Sequence, residues 1–438
     1  MSNHTKRRTF VQGIGGMVLV GALAGCLTTA DDDDDGDDNG DDSGDDAATA
    51  DDSPTDADDD DTAADVGEAV MWTDYTDSEE EDVDMFLAEF EEATGHTINR
   101  EDVADLDEQL ETSIPAGDGP GMWAWAHDWV GRFAVREEPE FLYDASDDIE
   151  VDLDVYSGAA REAVQFDGGT FGLPFGSETV ALFYNRNLVD EPPETIDEMV
   201  GIMEEYHNPA DGQYGLAYPA TDPYFASGFI QVFGGDMYDE EATEVTLDSQ
   251  ACIDGLELLE DTLFNYIPAD PGYGAQVPVF AEEVAPFAIN GPWELGNFRN
   301  EVEDIGVAPL PTVDGNHPRS YSGIQMWYFS SALADDSGAI DAAVDWAEWY
   351  TTNSEVTLAN AENHGLIPVH TEHAEEIDVS DEVLAFAEQV DHGVPIPTHP
   401  DMDSVWEPTT DALEQVFNGD ATPQEALEDA AADIRDRL

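Results

Sequence analysis

The run TVALFYN at residues 179–185 and the segment TIDEMVGIMEEYH at residues 195–207 decide the fold. The first is continuously apolar and reads as a strand buried on both faces; the second reads as a capped amphipathic helix. The same alternation opens the folded part. There EAVMW (68–72) reads as a strand, and Val83, Phe86, Leu87 and Phe90 fall on one helical face ahead of Gly95. Further on, VAPFAIN (284–290) and DIGVAPLP (304–311) read as strands flanking a helix start at Gly291, Pro292 and Trp293. The tail opens with a capping box, Thr422 to Glu425, with Pro423 at the first helical position, so the chain is expected to end in a helix. Strands alternating with helices predict an α/β architecture with mixed sheets. The 438 residues exceed what a single hydrophobic core usually supports, so two similar lobes are expected.

The formal charge of -91 arises from 103 acidic against 12 basic residues, while the 41% hydrophobic content is that of a folded protein. The acid therefore belongs to the surface. In dilute buffer such a surface repels itself, but near molar salt the screening length falls to about 3 Å, which points to a halophilic protein. An acidic surface for calcium or a basic partner is the alternative, and the spread of the excess along the whole chain speaks against it. Nucleic-acid binding is excluded, because so few cations cannot neutralise phosphates.

Residues 1–26, MSNHTKRRTFVQGIGGMVLVGALAGC, have a basic start, a short apolar stretch and a small-residue site, which together read as a signal peptide. KRRTFVQ resembles a twin-arginine export signal and LAGC a lipobox, whose Cys26 would receive the lipid; an uncleaved anchor helix is the alternative. Residues 27–66 are almost only Asp, Ala, Gly, Ser and Thr and read as a disordered tether, with an acidic ion-binding tail as the rival reading. Cys252 is then left without an intrachain partner and reads as a small buried apolar residue rather than a nucleophile.

Sugars present hydroxyls that carboxylates bond in pairs and apolar ring faces that aromatic planes cover, so a sugar site interleaves the two residue types. That mixture occurs in GDGPGMWAWAHDW (117–129), PFGSET (174–179), TDPYF (221–225), INGPWELGNF (289–298) and DSVWEP (403–408). Only a cleft between lobes, built from loops at strand ends, would bring such distant segments together. Trp123 and Trp125 are expected on opposite faces of one strand, with Trp125 outward.

These segments resemble, in the same order, those of the maltose/maltodextrin-binding proteins of ABC importers, from about Glu68 to Leu438. AGDGPGMWAWAHD (116–128), FGLPFGSETVALFYNRNLV (171–189), DPYF (222–225) and INGPW (289–293) carry the resemblance. It implies a two-lobed periplasmic-binding-protein-like fold, each lobe a mixed sheet flanked by helices, its segments interleaved over residues 67–438, with a hinge between. It also implies sugar contacts from Trp125, Asp128, Glu178, Asp222, Pro223, Tyr224, Tyr273, Trp293 and Trp406. Tyr224, Trp293 and Trp406 would stack on successive rings, while Asp128, Glu178 and Asp222 would accept hydroxyl hydrogen bonds. Three stacks and three such bonds are compatible with micromolar binding, roughly -8 kcal/mol. The chain departs from the pattern at Trp129, where relatives often have Arg, around Asp105 and Asp107, where Lys is missing, and at Glu407 and Thr410. Trp327 is a candidate replacement wall or a core residue.

The reading that follows is a monomeric, lipid-anchored binding protein at the outer face of the membrane. It would deliver oligosaccharide to permease subunits without cofactor, metal or catalysis. A surface glycoside hydrolase is the principal rival, although no carboxylate pair stands out for it. A metal-binding receptor built on His364, His370 and His373 is the second, and it lacks a clustered third ligand.

Overall fold

In the computed structural model, which describes residues 66–75 and 77–438, the apolar run around residue 180 serves two sheets rather than one. Gly172–Thr179 is a strand of the first sheet and Ala181–Asn185 a strand of the second, with Val180 fully buried between them. Both strands are buried along their whole length, which is why the sequence there lacks the apolar–polar alternation of a half-exposed strand.

The first sheet runs in the order Val394–Pro395, Tyr321–Phe329, Met122–Ala126, Glu68–Thr73, Thr97–Asp102, and Gly172–Thr179 pairs with Tyr321–Phe329 as well. Glu68–Thr73 lies parallel to both of its neighbours, whereas Tyr321–Phe329 is antiparallel to Met122–Ala126 and Gly172–Thr179. The second sheet runs Ile305–Ala308, Ala181–Asn185, Phe287–Asn290, Leu216–Ala217, and only its last pair is parallel. Both sheets are mixed and flanked by helices, as the alternation in the sequence predicts.

The chain crosses between the sheets repeatedly. It leaves the first at Val180 and returns at Tyr321. It then contributes helix Asp381–His392 to the second lobe, where Phe386 meets Phe183 at a ring separation of 5.6 Å. Val394–Pro395 rejoins the first sheet, and helices Asp403–Phe417 and Pro423–Arg437 end in the core of the second lobe beside Leu256 and Phe229. Met71, Phe86, Phe90, Trp346 and Tyr350 fill one face of the first sheet.

Local chemistry sets the helix starts. The Thr195 side chain accepts the Glu198 N–H, and helix Ile196–Tyr206 buries Ile196, Met199 and Met203. Thr422 and Glu425 make both bonds of the capping box ahead of Pro423–Arg437. Helix Asp77–Thr94 buries Val83, Phe86 and Phe90.

Trp327 is fully buried, with the rings of Phe175, Tyr350 and Trp346 at 5.2, 5.2 and 5.8 Å, so it is a core residue and supplies no sugar wall. Cys252 is buried and its thiol meets the Asp236 carbonyl; burial pushes its pKa up to about 11, which leaves it unreactive. Among the described residues no helix is long and apolar enough to cross a membrane. The export segment with Cys26, and the tether apart from Val66, lie outside the described residues.

Candidate functional site

Three elements of the second lobe bring four aromatic rings together. Helix Pro223–Ile230 carries Tyr224 and Phe225 at its first turn, helix Tyr273–Ala281 begins with Tyr273, and the turn Pro292–Glu294 holds Trp293. Tyr224 and Trp293 lie 6.3 Å apart, and Phe225 meets Tyr273 and Trp293 edge-on at 5.9 and 6.1 Å. Trp293 donates its indole N–H to the Tyr273 hydroxyl at 2.9 Å, and that hydroxyl donates to Glu294. Phe225 is buried beneath the group, while Tyr224, Tyr273 and Trp293 stay half-buried. The result is an aromatic wall whose polar edges are already oriented by one another.

Carboxylates of both lobes act on this wall. Glu178 is the penultimate residue of its strand in the first sheet, is 9% exposed and accepts from Gln325 Nε2 at 2.9 Å. Asp128 follows the Met122–Ala126 strand, also in the first lobe. Asp222 precedes the Tyr224 helix and accepts the Tyr224 N–H at 2.9 Å, so part of its acceptor capacity caps that helix. Glu178, Asp128 and Asp222 all act on the Tyr224 phenol, whose pKa burial and these three charges hold well above its ordinary value. Among the described residues the buried Tyr224 hydroxyl has no hydrogen-bond partner. Burial raises Asp222 to about 6 and Asp128 to about 7, the latter against the pull of Arg132.

The remaining predicted residues fall less uniformly. Pro223 is buried at the first position of its helix and sets that helix's direction. Trp406 is half-buried on helix Asp403–Phe417, edge-on to Tyr321 at 5.9 Å, and this helix lies against the Tyr224 helix. The expectation that Trp123 and Trp125 face opposite ways is wrong. A strand returns every second side chain to the same face, and both tryptophans join the cluster of Trp129, Phe133 and Tyr328. Position along the strand separates them: Trp123 is fully buried, whereas Trp125 near the carboxyl end is only partly buried and stacks on Trp129 at 4.6 Å.

Residues 86–387, more than half of the chain, match the family described as bacterial extracellular solute-binding protein. The chain belongs to that family. A maltotriose-binding protein of Pyrococcus abyssi (strain GE5 / Orsay) is 36% identical over 321 residues, 72% of this chain and 69% of its own length. A galactooligosaccharide-binding protein of Bacillus subtilis (strain 168) is 26% identical over 348 residues, 76% of this chain and 80% of its own. Among solved structures, Thermus thermophilus maltotriose binding protein bound with maltotriose matches with a TM-score of 0.76 at 26% identity, over 84% of this chain and 99% of that one. This solute-binding protein shares the two-lobed α/β architecture of the Thermus protein.

Two residues of the site escaped the sequence reading. Arg132 stands beside Asp128 and is signalled by a helical four-residue spacing. Glu294, which receives the Tyr273 hydroxyl, directly follows Trp293. The histidines do other work. His364 pairs with Asp82 at 2.9 Å and His373 with the Thr357 hydroxyl at 2.8 Å, while His370 caps its helix and stacks on His373. A cavity of about 360 Å³ on the first lobe, lined by Asp144, Phe166 and Phe171 among others, contains none of the predicted residues. Its Asp144 carboxylate already accepts from Ser146 and the Thr170 N–H.

Proposed function

We propose that this solute-binding protein captures maltodextrin-like oligosaccharides between its lobes and presents them to the permease of an ABC importer, without altering them chemically. One observation carries the reading: the charges of Glu178 and Asp128 in the first lobe act on the Tyr224 phenol, a member of the Tyr224–Tyr273–Trp293 wall of the second. Apolar ring faces lie against the wall, and hydroxyls bond the carboxylates. Trp406 extends the wall to a further ring, and Trp125 closes the opposite side. The maltotriose named for the Pyrococcus relative and for the Thermus structure supports an α-glucan ligand.

The carboxylates fit binding better than hydrolysis. Asp222 caps a helix and Glu178 accepts from Gln325, which gives each a structural task, whereas a glycosidase needs a carboxyl pair dedicated to the two sides of the scissile bond. Contacts from both lobes favour the closed state, and closure is the signal the permease reads. Attachment through lipid on Cys26 and a tether over residues 27–66 would keep the monomer near its permease. Molar salt would screen its charge.

Isothermal titration calorimetry in molar potassium chloride tests this. Maltotriose is expected to bind with a Kd on the order of 1 μM, and Trp293→Ala to weaken it. No heat with maltotriose or longer maltodextrins, or the appearance of shortened products, refutes the reading.

A further inference from the structure

Helix Trp129–Ala134 runs down from Asp128 and makes an unusually close contact with the segment that crosses to the second lobe. A Cβ at Gly131 would stand 1.8 Å from the Thr398 carbonyl oxygen, so only glycine lets the two backbones touch there. The next residue, Arg132, is 10% exposed, with its guanidinium 4.5 Å from the Trp129 ring centre and 4.4 Å from that of Phe133. One arm of its fork donates to Asp107 of helix Leu106–Ala116 in the first lobe. The other donates to Asp403 at 2.7 Å, the residue that opens the helix carrying Trp406. Trp129 in turn stacks on Trp125. Arg132 therefore reaches Trp125 through the Trp129 ring and the Trp406 helix through Asp403, and its charge acts on Asp128.

We propose that Arg132 is a positioning residue that holds the Trp125–Trp129 stack and the Trp406 helix together as one wall of the ligand cleft, beside Asp128. The inference rests on the oligosaccharide-binding reading and extends it. A planar fork suits the task, because it spans two carboxylates while its faces lie on aromatic rings; an ammonium cannot do both. Arg132 is also the cation that offsets Asp107 and Asp403 around Asp128, whose charge acts in turn on Tyr224 of the second-lobe helix and Tyr328 of the central strand.

The sign of the charge effect follows. Burial pushes the Asp128 carboxyl up, Arg132 pulls it down, and Asp403 and Asp107 push it up again. An ionised Asp128 accepts the stronger hydroxyl bond, so oligosaccharide affinity rises with pH through the neutral range, and loss of Arg132 moves that rise to higher pH. Calorimetry with maltotriose across pH 5 to 9 reads both effects. Arg132→Gln is expected to lose roughly tenfold in affinity, as for one charge-assisted bond, and to shift the profile upward. Arg132→Lys keeps the wild-type midpoint but stays weak. Wild-type affinity and midpoint in Arg132→Gln overturn the proposal. Should that variant not fold, Asp403→Asn decides: weakened binding with the midpoint moved to lower pH supports the proposal, and unchanged affinity overturns it. A wild-type protein that binds no maltotriose refutes the functional reading alone. The Arg132 link is then read without sugar, from a thermal-unfolding cycle of Arg132→Gln and Asp403→Asn: coupling of the two supports it, and strict additivity overturns it.

Discussion

A Cβ added at Gly291 would lie 2.2 Å from the Trp293 ring, so the indole can fold back over the chain only because this residue has no side chain. Gly291→Ala is expected to push the ring off the Tyr273 hydroxyl and weaken maltotriose binding about fivefold, near 1 kcal/mol, with little change in thermal stability; calorimetry and a melting curve measure the two. The role expected of Trp293 came from the resemblance of INGPW to the family pattern. Its hydrogen-bond partner was not legible, because Tyr273 lies on a separate helix and only the fold makes them neighbours. Asp222 illustrates the same limit: the sequence names the acid, but the structure shows that its first obligation is to the Tyr224 N–H.

At the scale of elements, caps and periodicity spoke most clearly. The capping box at Thr422 and Glu425 forms with both bonds, and Pro423–Arg437 buries Ala426, Leu427, Ala430, Ala431 and Ile434. Thr422→Ala is expected to cost about 1 kcal/mol of stability without altering ligand affinity, which chemical denaturation and calorimetry check. Strand pairing was far less legible. Tyr321–Phe329 is the strand around which the first sheet is assembled, yet its partners Met122–Ala126 and Gly172–Thr179 lie far back in the chain, and nothing local in GIQMWYF names them. The break at Val180 was hidden for a related reason: strands buried on both faces carry one unbroken apolar signal through a change of sheet. The misjudged orientation of Trp123 and Trp125 came from strand geometry, not from missing information.

Across the whole molecule, charge and lobes belong together. No lysine follows Lys6, and every arginine among the described residues pairs with at least one carboxylate, so no cation there is spare to offset the acidic surface. Exposed pairs of this kind contribute little each, and dissolved salt weakens the repulsion within so acidic a surface. The chain crosses between its sheets at Val180, before Tyr321 and around Val394, and the acids and rings assigned to the ligand come from both sides of those crossings. A ligand bound by only one lobe would leave their equilibrium unchanged, whereas one bound by both must shift it. Small-angle X-ray scattering in molar salt, with calorimetry confirming saturation by maltotriose, measures that shift directly. A smaller radius of gyration in the saturated sample is the predicted result; identical scattering curves with the sugar demonstrably bound would contradict it.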